Sequence, residues 1–264
     1  STPFIYGNIN LVNNGTINFT VKNKQTNSFY SKSNIDDPNS MRIENNGTIN
    51  VTGHSPIYYY LTIFANGSDH SDTFIDHLFV NNGTINLENA TGYLQDNTAG
   101  TYDASGGGVI NAHNSAALVV NLHANYSYKS DEDMNDHSVL KIGTLNISGD
   151  GIAARATGVG VGLKLGENFP NATVDISDGV INVGKYSHGI RIDMEDNQTV
   201  NISTDINASG RQAVGISVDG LPSTGGMITN TGNITIDSRD NNGADPSMGI
   251  ALQERVPFTN KGNI

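Results

Sequence analysis

The stretch LVNNGTI at 11–17 returns almost unchanged as IENNGTI at 43–49 and as FVNNGTI at 79–85. Two further copies, ITNTGNI at 228–234 and FTNKGNI at 258–264, keep the pattern φ-x-N-x-G-x-φ, where φ is an apolar residue. Looser copies with the same apolar spacing lie at 139–145, 174–180 and 200–206. A pattern that recurs this often predicts a repeat architecture, because each copy builds the same structural unit.

The apolar residues of each copy alternate with polar ones. In ITNTGNITI, Ile228, Ile234 and Ile236 share one parity, which is typical of two half-buried strands on either side of a bend at Gly232. The asparagine of each copy has the inward parity, and we expect its amide to bond to a neighbouring asparagine or to a turn backbone. These structural turn positions are Asn13, Asn45, Asn81, Asn230 and Asn260.

A third strand of the form G-φ-x-φ recurs between these pairs, at 162–165, 189–192, 215–218 and 249–252. Three short strands per repeat, without helical periodicity, predict an all-β fold: a right-handed three-stranded parallel β-helix, or solenoid, with long loop insertions. Eight or nine rungs of about 4.8 Å make a rod roughly 40 Å long. The predicted interior columns are Ile190, Ile216 and Ile250 above Leu163, and Val174, Val200, Ile228 and Phe258.

The whole chain, 1–264, is predicted to be a single β-helix domain. The stretches 23–40, 65–77, 88–107, 126–138 and 237–246 break the repeat and are interpreted as loops. The last copy stops inside a repeat, which leaves strand edges without partners. We therefore expect the natural protein to continue beyond Ile264.

Composition limits the possible functions. The chain has 264 residues, 30 Gly, 36 Asn and no Cys, with only 15% charged residues and a net charge of −12. Without cysteine it has no disulfide, thiolate metal site or Cys nucleophile. Its acidic balance argues against nucleic acid as a partner. No cofactor motif or metal site is predicted.

Motifs of catalysis are missing, since the sequence contains no G-x-S-x-G, no H-E-x-x-H and no phosphate-binding G-x-x-x-x-G-K-[ST] stretch. SHGIRI at 187–192 resembles a polygalacturonase segment, but those enzymes also need paired carboxylates on adjacent rungs. The outward positions of the G-φ-x-φ strands hold no carboxylate: they are Lys164, Arg191, Ser217 and Ala251. We interpret His188 as a histidine in a surface turn, the acidic stretches 68–77 and 131–137 as solvated loops, and the protein as a non-enzyme.

Basic residues concentrate between 155 and 211. By the parity of the repeat, Lys164 and Arg191 should stand one rung apart on one face, where they could bind sulfated or carboxylated glycans. The predicted glycan-binding set consists of Arg155, Lys164, Lys185, Arg191 and Arg211. The alternative is that these are isolated surface charges.

The NNGTI turns, the variants DGVINV and GTLNIS, the G-φ-x-φ strands, the lack of cysteine and the acidic Asn/Gly/Thr composition together resemble a known family. They are similar to passenger domains of Gram-negative autotransporters, above all the AIDA-type adhesins with their UpaB-like members. The resemblance covers essentially the whole chain. It implies export through the outer membrane by a C-terminal translocator barrel and display at the bacterial cell surface. The G-D-S-G motif of protease passengers is absent.

This resemblance implies an adhesin that binds host glycans of the glycosaminoglycan type, or a matrix protein such as fibronectin, through one face and its loops. Two alternatives stay open. The first is self-association of cells, as in aggregation or biofilm, through polar ladders that include Asn18, Asn50 and Asn86. The second is a polysaccharide-degrading β-helix enzyme or a phage tailspike.

Overall fold

The structure is a computed structural model that describes residues 5–6, 10–20, 26–33, 42–53, 61–68, 78–96, 99–123, 137–151, 156–167, 169–220, 225–238, 245–253 and 257–264. Within these ranges the chain forms 24 strands and no helix. Every strand pair whose register is defined is parallel. The protein is therefore all-β, and its parallel sheets are compatible with a solenoid.

The strands fall into two sheets, one of nine strands and one of 15. The nine-stranded sheet, called the first stack, contains β1 (Ile5–Tyr6), β4 (Thr26–Ser33), β7 (Leu61–Ser68), β10 (Thr91–Asp96), β13 (Ala116–Leu122), β15 (Gly158–Leu165), β17 (Ser187–Met194), β20 (Ala213–Val218) and β23 (Met248–Leu252).

The 15-stranded sheet has two parts, joined by two long strands that pass through both: β14 (His137–Ser148) and β16 (Thr173–Val183). The second stack adds to these β2 (Asn10–Asn13), β5 (Arg42–Asn45), β8 (Leu78–Asn81), β11 (Thr101–Asp103), β18 (Thr199–Ile202), β21 (Met227–Asn230) and β24 (Phe258–Asn260). The third stack adds β3 (Thr16–Thr20), β6 (Thr48–Thr52), β9 (Thr84–Glu88), β12 (Val109–His113), β19 (Asp205–Ser209) and β22 (Ile234–Asp237).

Columns of apolar side chains fill the interior, as the alternating pattern predicts. Ile190 lies beside Ile216, and Ile216 beside Ile250. The second predicted column is also confirmed, and it comprises Val174, Val200, Ile228 and Phe258. Most of these side chains are fully buried, so the core is continuous from one rung to the next.

The position predicted for Leu163 is wrong by two residues. Val161 is the residue that lies beside Ile190, whereas Leu163 lies beside Ile192. Gly160, rather than Gly162, is the residue that lies against the carbonyl oxygen of Gly189, where a side chain would overlap it. The sequence GVGVG offers glycines two residues apart, and a shift of two keeps every side chain on the same face, so parity could not choose between them.

Three of the expected loops contain strands. The stretch 88–107 holds β10 and β11, the stretch 23–40 holds β4, and β7 extends into the stretch 65–77. After β11 the turn asparagine is absent. Tyr102 lies inward beside Phe79, and the glycines at 106–108 make the bend. Residues 124–136 and 239–244, which cover most of the other two expected loops, lie outside the described residues.

Candidate functional site

Seven asparagines on the outer surface of the third stack form an uninterrupted ladder of side-chain hydrogen bonds. Each Nδ2 donates to the Oδ1 of the asparagine one rung before it, at 2.8 to 3.1 Å. We call this set the outer ladder, and its members are Asn18, Asn50, Asn86, Asn111, Asn146, Asn182 and Asn207. The ladder is half-buried or exposed along its whole length, so it is open to a partner.

A groove of about 640 Å³ runs beside this ladder and is lined by six of its members, Asn50 to Asn207. The next outward position of the strands adds hydroxyl groups, including those of Thr52, Ser148 and Ser209. The lining also includes one apolar residue on each of five rungs: Val51, Leu87, Ala112, Ile147 and Val183. With one rung every 4.8 Å or so, the six asparagines span about 24 Å. We call this feature the polar groove.

The ladder leaves part of each amide unused. Asn111, for example, donates one Nδ2 hydrogen to Asn86 and accepts one bond from Asn146 at its Oδ1. A primary amide has two N–H donors and two lone pairs. Each interior ladder residue therefore offers one further donor and one further acceptor to a ligand, repeated once per rung.

Charged groups gather at one point on the rim. His113 Nδ1 lies 2.9 Å from Ser148 Oγ, and its Nε2 lies 3.1 Å from Asp150 Oδ2. A bond from Asn114 Nδ2, together with contacts from His113 and Lys185, lowers the pKa of Asp150. A nucleophilic triad uses a buried carboxylate, but the Asp150 side chain is 59% exposed. We therefore interpret this cluster as structural, because it links side chains at the rim of the polar groove.

A second asparagine ladder lies inside the molecule. Asn13 Nδ2 donates to Asn45 Oδ1 at 2.7 Å, and Asn45 Nδ2 donates to Asn81 Oδ1 at 2.8 Å. Asn81 in turn donates to the hydroxyl of Tyr102 at 3.1 Å. We call these three asparagines the inner ladder. All of these side chains are buried, in agreement with the parity of the repeat, and burial raises the pKa of Tyr102.

Asn230 and Asn260 form a separate pair. Asn230 Nδ2 donates to Asn260 Oδ1 at 2.7 Å and to the Gly232 carbonyl at 2.9 Å. Although the repeat pattern makes them counterparts of Asn81, they do not continue its column, because Asn230 lies beside Ile202, which continues the column of Tyr102. This is again a shift of two residues, which preserves the inward direction.

The basic residues do not form the predicted column. Lys164 lies beside Asp193, not beside Arg191, because of the register of β15 described above. Arg191 lies beside Gly162 and Ser217, and its Nε donates to Asp219 Oδ2 at 2.6 Å. The two cations therefore do not stand one rung apart.

Other members of the predicted basic set also contact carboxylates. Arg211 Nε donates to Asp245 at 2.6 Å, which lowers the pKa of that carboxyl. Lys185 Nζ lies 3.4 Å from Asp150. Arg155 lies outside the described residues. Because these charges are paired, they attract an anionic glycan less than isolated cations would.

His188 lies within β17, half-buried, with its Nδ1 2.6 Å from Ser217 Oγ. Burial, and next the neighbouring Arg191, lower its pKa. Among the described residues, no group of three or more His, Asp or Glu side chains is placed to hold a metal ion. The described part of the chain also contains no helix long and apolar enough to cross a membrane.

Four members of the outer ladder were not singled out from the sequence: Asn111, Asn146, Asn182 and Asn207. A signal for them exists, because each ladder residue follows an inward Ile or Leu, as in Ile110-Asn111 and Leu145-Asn146. This two-residue signal is short, and the more conspicuous N-x-G turn obscured it.

Comparison of the chain with protein-family models, with curated proteins and with solved structures finds no match.

Proposed function

We propose that this chain is the rod of a bacterial cell-surface adhesin, which binds a host glycan or a matrix protein such as fibronectin. The observation that carries the proposal is the outer ladder, which presents the same pair of hydrogen-bonding groups on seven successive rungs. A surface that repeats in this way suits a partner that is itself extended. Isolated surface asparagines would not be aligned in this manner.

The same proposal includes the handedness of the coil and the number of strands in each rung. The chain visits the first, second and third stacks in turn and then returns to the first, which favours a right-handed coil of three strands per rung. Such a rod holds binding groups away from the cell. The resemblance to AIDA-type passenger domains supports export by a C-terminal translocator barrel and display at the outer membrane.

A binding array tests this function. The purified chain is probed against immobilised fibronectin and other matrix proteins, sulfated glycans and uncharged glycans. We expect retention on at least one class, and weaker retention for the variant Asn111→Ala/Asn146→Ala. Asn201→Ala is the matched control, since Asn201 is also exposed and also bonds across a rung, but on the second stack. The proposal is contradicted if the chain binds none of these classes.

Self-association is a second candidate function, and the outer ladder favours it too. Two copies facing each other would pair the unused donors of one ladder with the unused acceptors of the other. Cells that display the chain would then settle faster than cells displaying Asn111→Ala/Asn146→Ala. Equal settling rates, with the purified chain monomeric in light scattering, would remove this candidate.

A further inference from the structure

We infer that the polar groove takes an uncharged, extended β-1,4-linked polysaccharide that lies along the outer ladder. This inference rests on the proposed adhesin function and identifies the ligand class and the site. It follows from three properties of the groove: its repeat distance, its charge and the lack of aromatic rings for stacking in its described wall.

The repeat distance selects the kind of polymer. The ladder offers one donor and one acceptor every 4.8 Å or so along the rod. Successive sugars of an extended β-1,4-linked pyranose chain are turned over, so each edge of the chain presents C6 and C2/C3 hydroxyls in alternation. One edge therefore offers a hydroxyl from every sugar at an interval close to that of the ladder, and each hydroxyl is both a donor and an acceptor. An extended peptide advances about 3.3 Å per residue, with like-facing groups twice as far apart, so it does not match the ladder.

The charge of the groove excludes a sulfated chain. Among the described residues no Lys or Arg lines it, and Glu88 is part of its wall. Lys185, a cation at the rim, contacts Asp150. Bringing sulfate groups beside Glu88 without a compensating cation is unfavourable, particularly for a chain with a net charge of −12.

The lining also determines how affinity depends on length. In the described part of the chain, no Phe or Tyr side chain belongs to the groove wall and could stack on a sugar ring. Ring stacking therefore adds nothing, and the contacts that repeat with each sugar are the hydrogen bonds of the ladder, whose fixed amides lose little freedom on binding. We expect affinity to rise with each added sugar until the groove is filled.

The test measures binding of β-1,4-glucose and β-1,4-N-acetylglucosamine oligosaccharides of increasing length by calorimetry, with heparin oligosaccharides in parallel. We expect the uncharged series to bind with rising affinity and without dependence on salt, because the contacts are not ionic. Asn111→Leu/Asn146→Leu should weaken binding about tenfold, as expected for the loss of one to two net hydrogen bonds.

Two further variants test whether the loss of binding comes from the ladder amides themselves. Asn146→Asp is nearly isosteric, removes both Nδ2 donors and should also weaken binding, whereas Asn201→Ala should leave it unchanged. Two outcomes overturn this inference and leave the adhesin function standing. The first is that heparin binds more tightly than the uncharged series. The second is that Asn111→Leu/Asn146→Leu and Asn146→Asp both bind the uncharged series as tightly as the unchanged protein does. If the chain binds no glycan and no matrix protein, both fall together.

Discussion

The inner and outer ladders use the same amide chemistry on opposite faces of one repeat. Asn45 bonds to Asn13 and Asn81 inside the molecule, and Asn50, five residues later, bonds to Asn18 and Asn86 outside. The inner ladder ends at the Tyr102 hydroxyl, after three asparagines, whereas the outer ladder continues over seven rungs. The contrast indicates that packing limits a ladder inside the core, while solvent imposes no such limit outside.

Tyr102 marks the boundary of the inner ladder because it belongs to an aromatic cluster. Its ring lies 5.5 Å from that of Phe79, edge-on, and 6.1 Å from that of Tyr93. Tyr102 lies beside Phe79 on the next rung, and its hydroxyl accepts the last Nδ2 bond of the inner ladder. Burial makes each inner hydrogen bond costly to lose, and water compensates for the loss of an outer one.

The largest expected effect is at the bend that both ladders share. Gly83 lies between Asn81 and Asn86, and a methyl group there would overlap the carbonyl oxygen of Gly47. We expect Gly83→Ala to lower the free energy of unfolding by about 3 kcal/mol or more, because backbone must move. Denaturant unfolding measures this.

Gly162→Ala is the matched control for that prediction. Its nearest neighbours would be methyl carbons of Val159 and Val119 at 3.7 and 3.8 Å, which is ordinary contact. The change in stability should stay within about 1 kcal/mol. Similar losses for both variants would show that the stacked bend is not the cause.

Next in size is Asn45→Ala, which removes two buried hydrogen bonds. Asn81 Oδ1 loses its donor, and Asn13 Nδ2 keeps only its long bond of 3.4 Å to the Thr48 carbonyl. We expect a loss of about 2–4 kcal/mol in the free energy of unfolding, from the same denaturant experiment. A loss below about 1 kcal/mol would mean that water enters the interior and replaces the amide.

A smaller effect is expected for Tyr102→Phe. This variant keeps the aromatic packing and removes only the acceptor of the Asn81 amide. The free energy of unfolding should fall by about 1–2 kcal/mol. Equal stability of this variant and the unchanged protein would show that the Asn81 amide finds another acceptor.

The smallest effect belongs to Asn50→Ala. This residue has as many ladder bonds as Asn45 but is only half-buried, so water can satisfy the groups left behind. We expect a change within about 0.5 kcal/mol, measured in the same buffer as Asn45→Ala. Equal losses for the two variants would contradict the distinction between the ladders.

Much of the fold could be predicted from local patterns. The alternation around Ile228 and Ile234, the bend at Gly232 and the columns of Ile190 and Val174 all follow from period-two parity. The fourth rung could not be predicted, because Tyr102 and the glycines at 106–108 replace the repeated turn motif. Three members of the outer ladder could be named from the sequence, while the groove beside it could not.

The sequence by itself determined which side chains face inward and which face outward, because a strand alternates its faces residue by residue whatever its neighbours are. Tertiary structure decided which residues lie beside one another where the repeat leaves the register open, as it does in β15. A shift of two residues leaves every face unchanged, and the pairing of β15 with β17, which places Val161 beside Ile190, is what separates Lys164 from Arg191. The alignment of seven asparagines in one ladder, and hence the groove, likewise depends on the register between rungs.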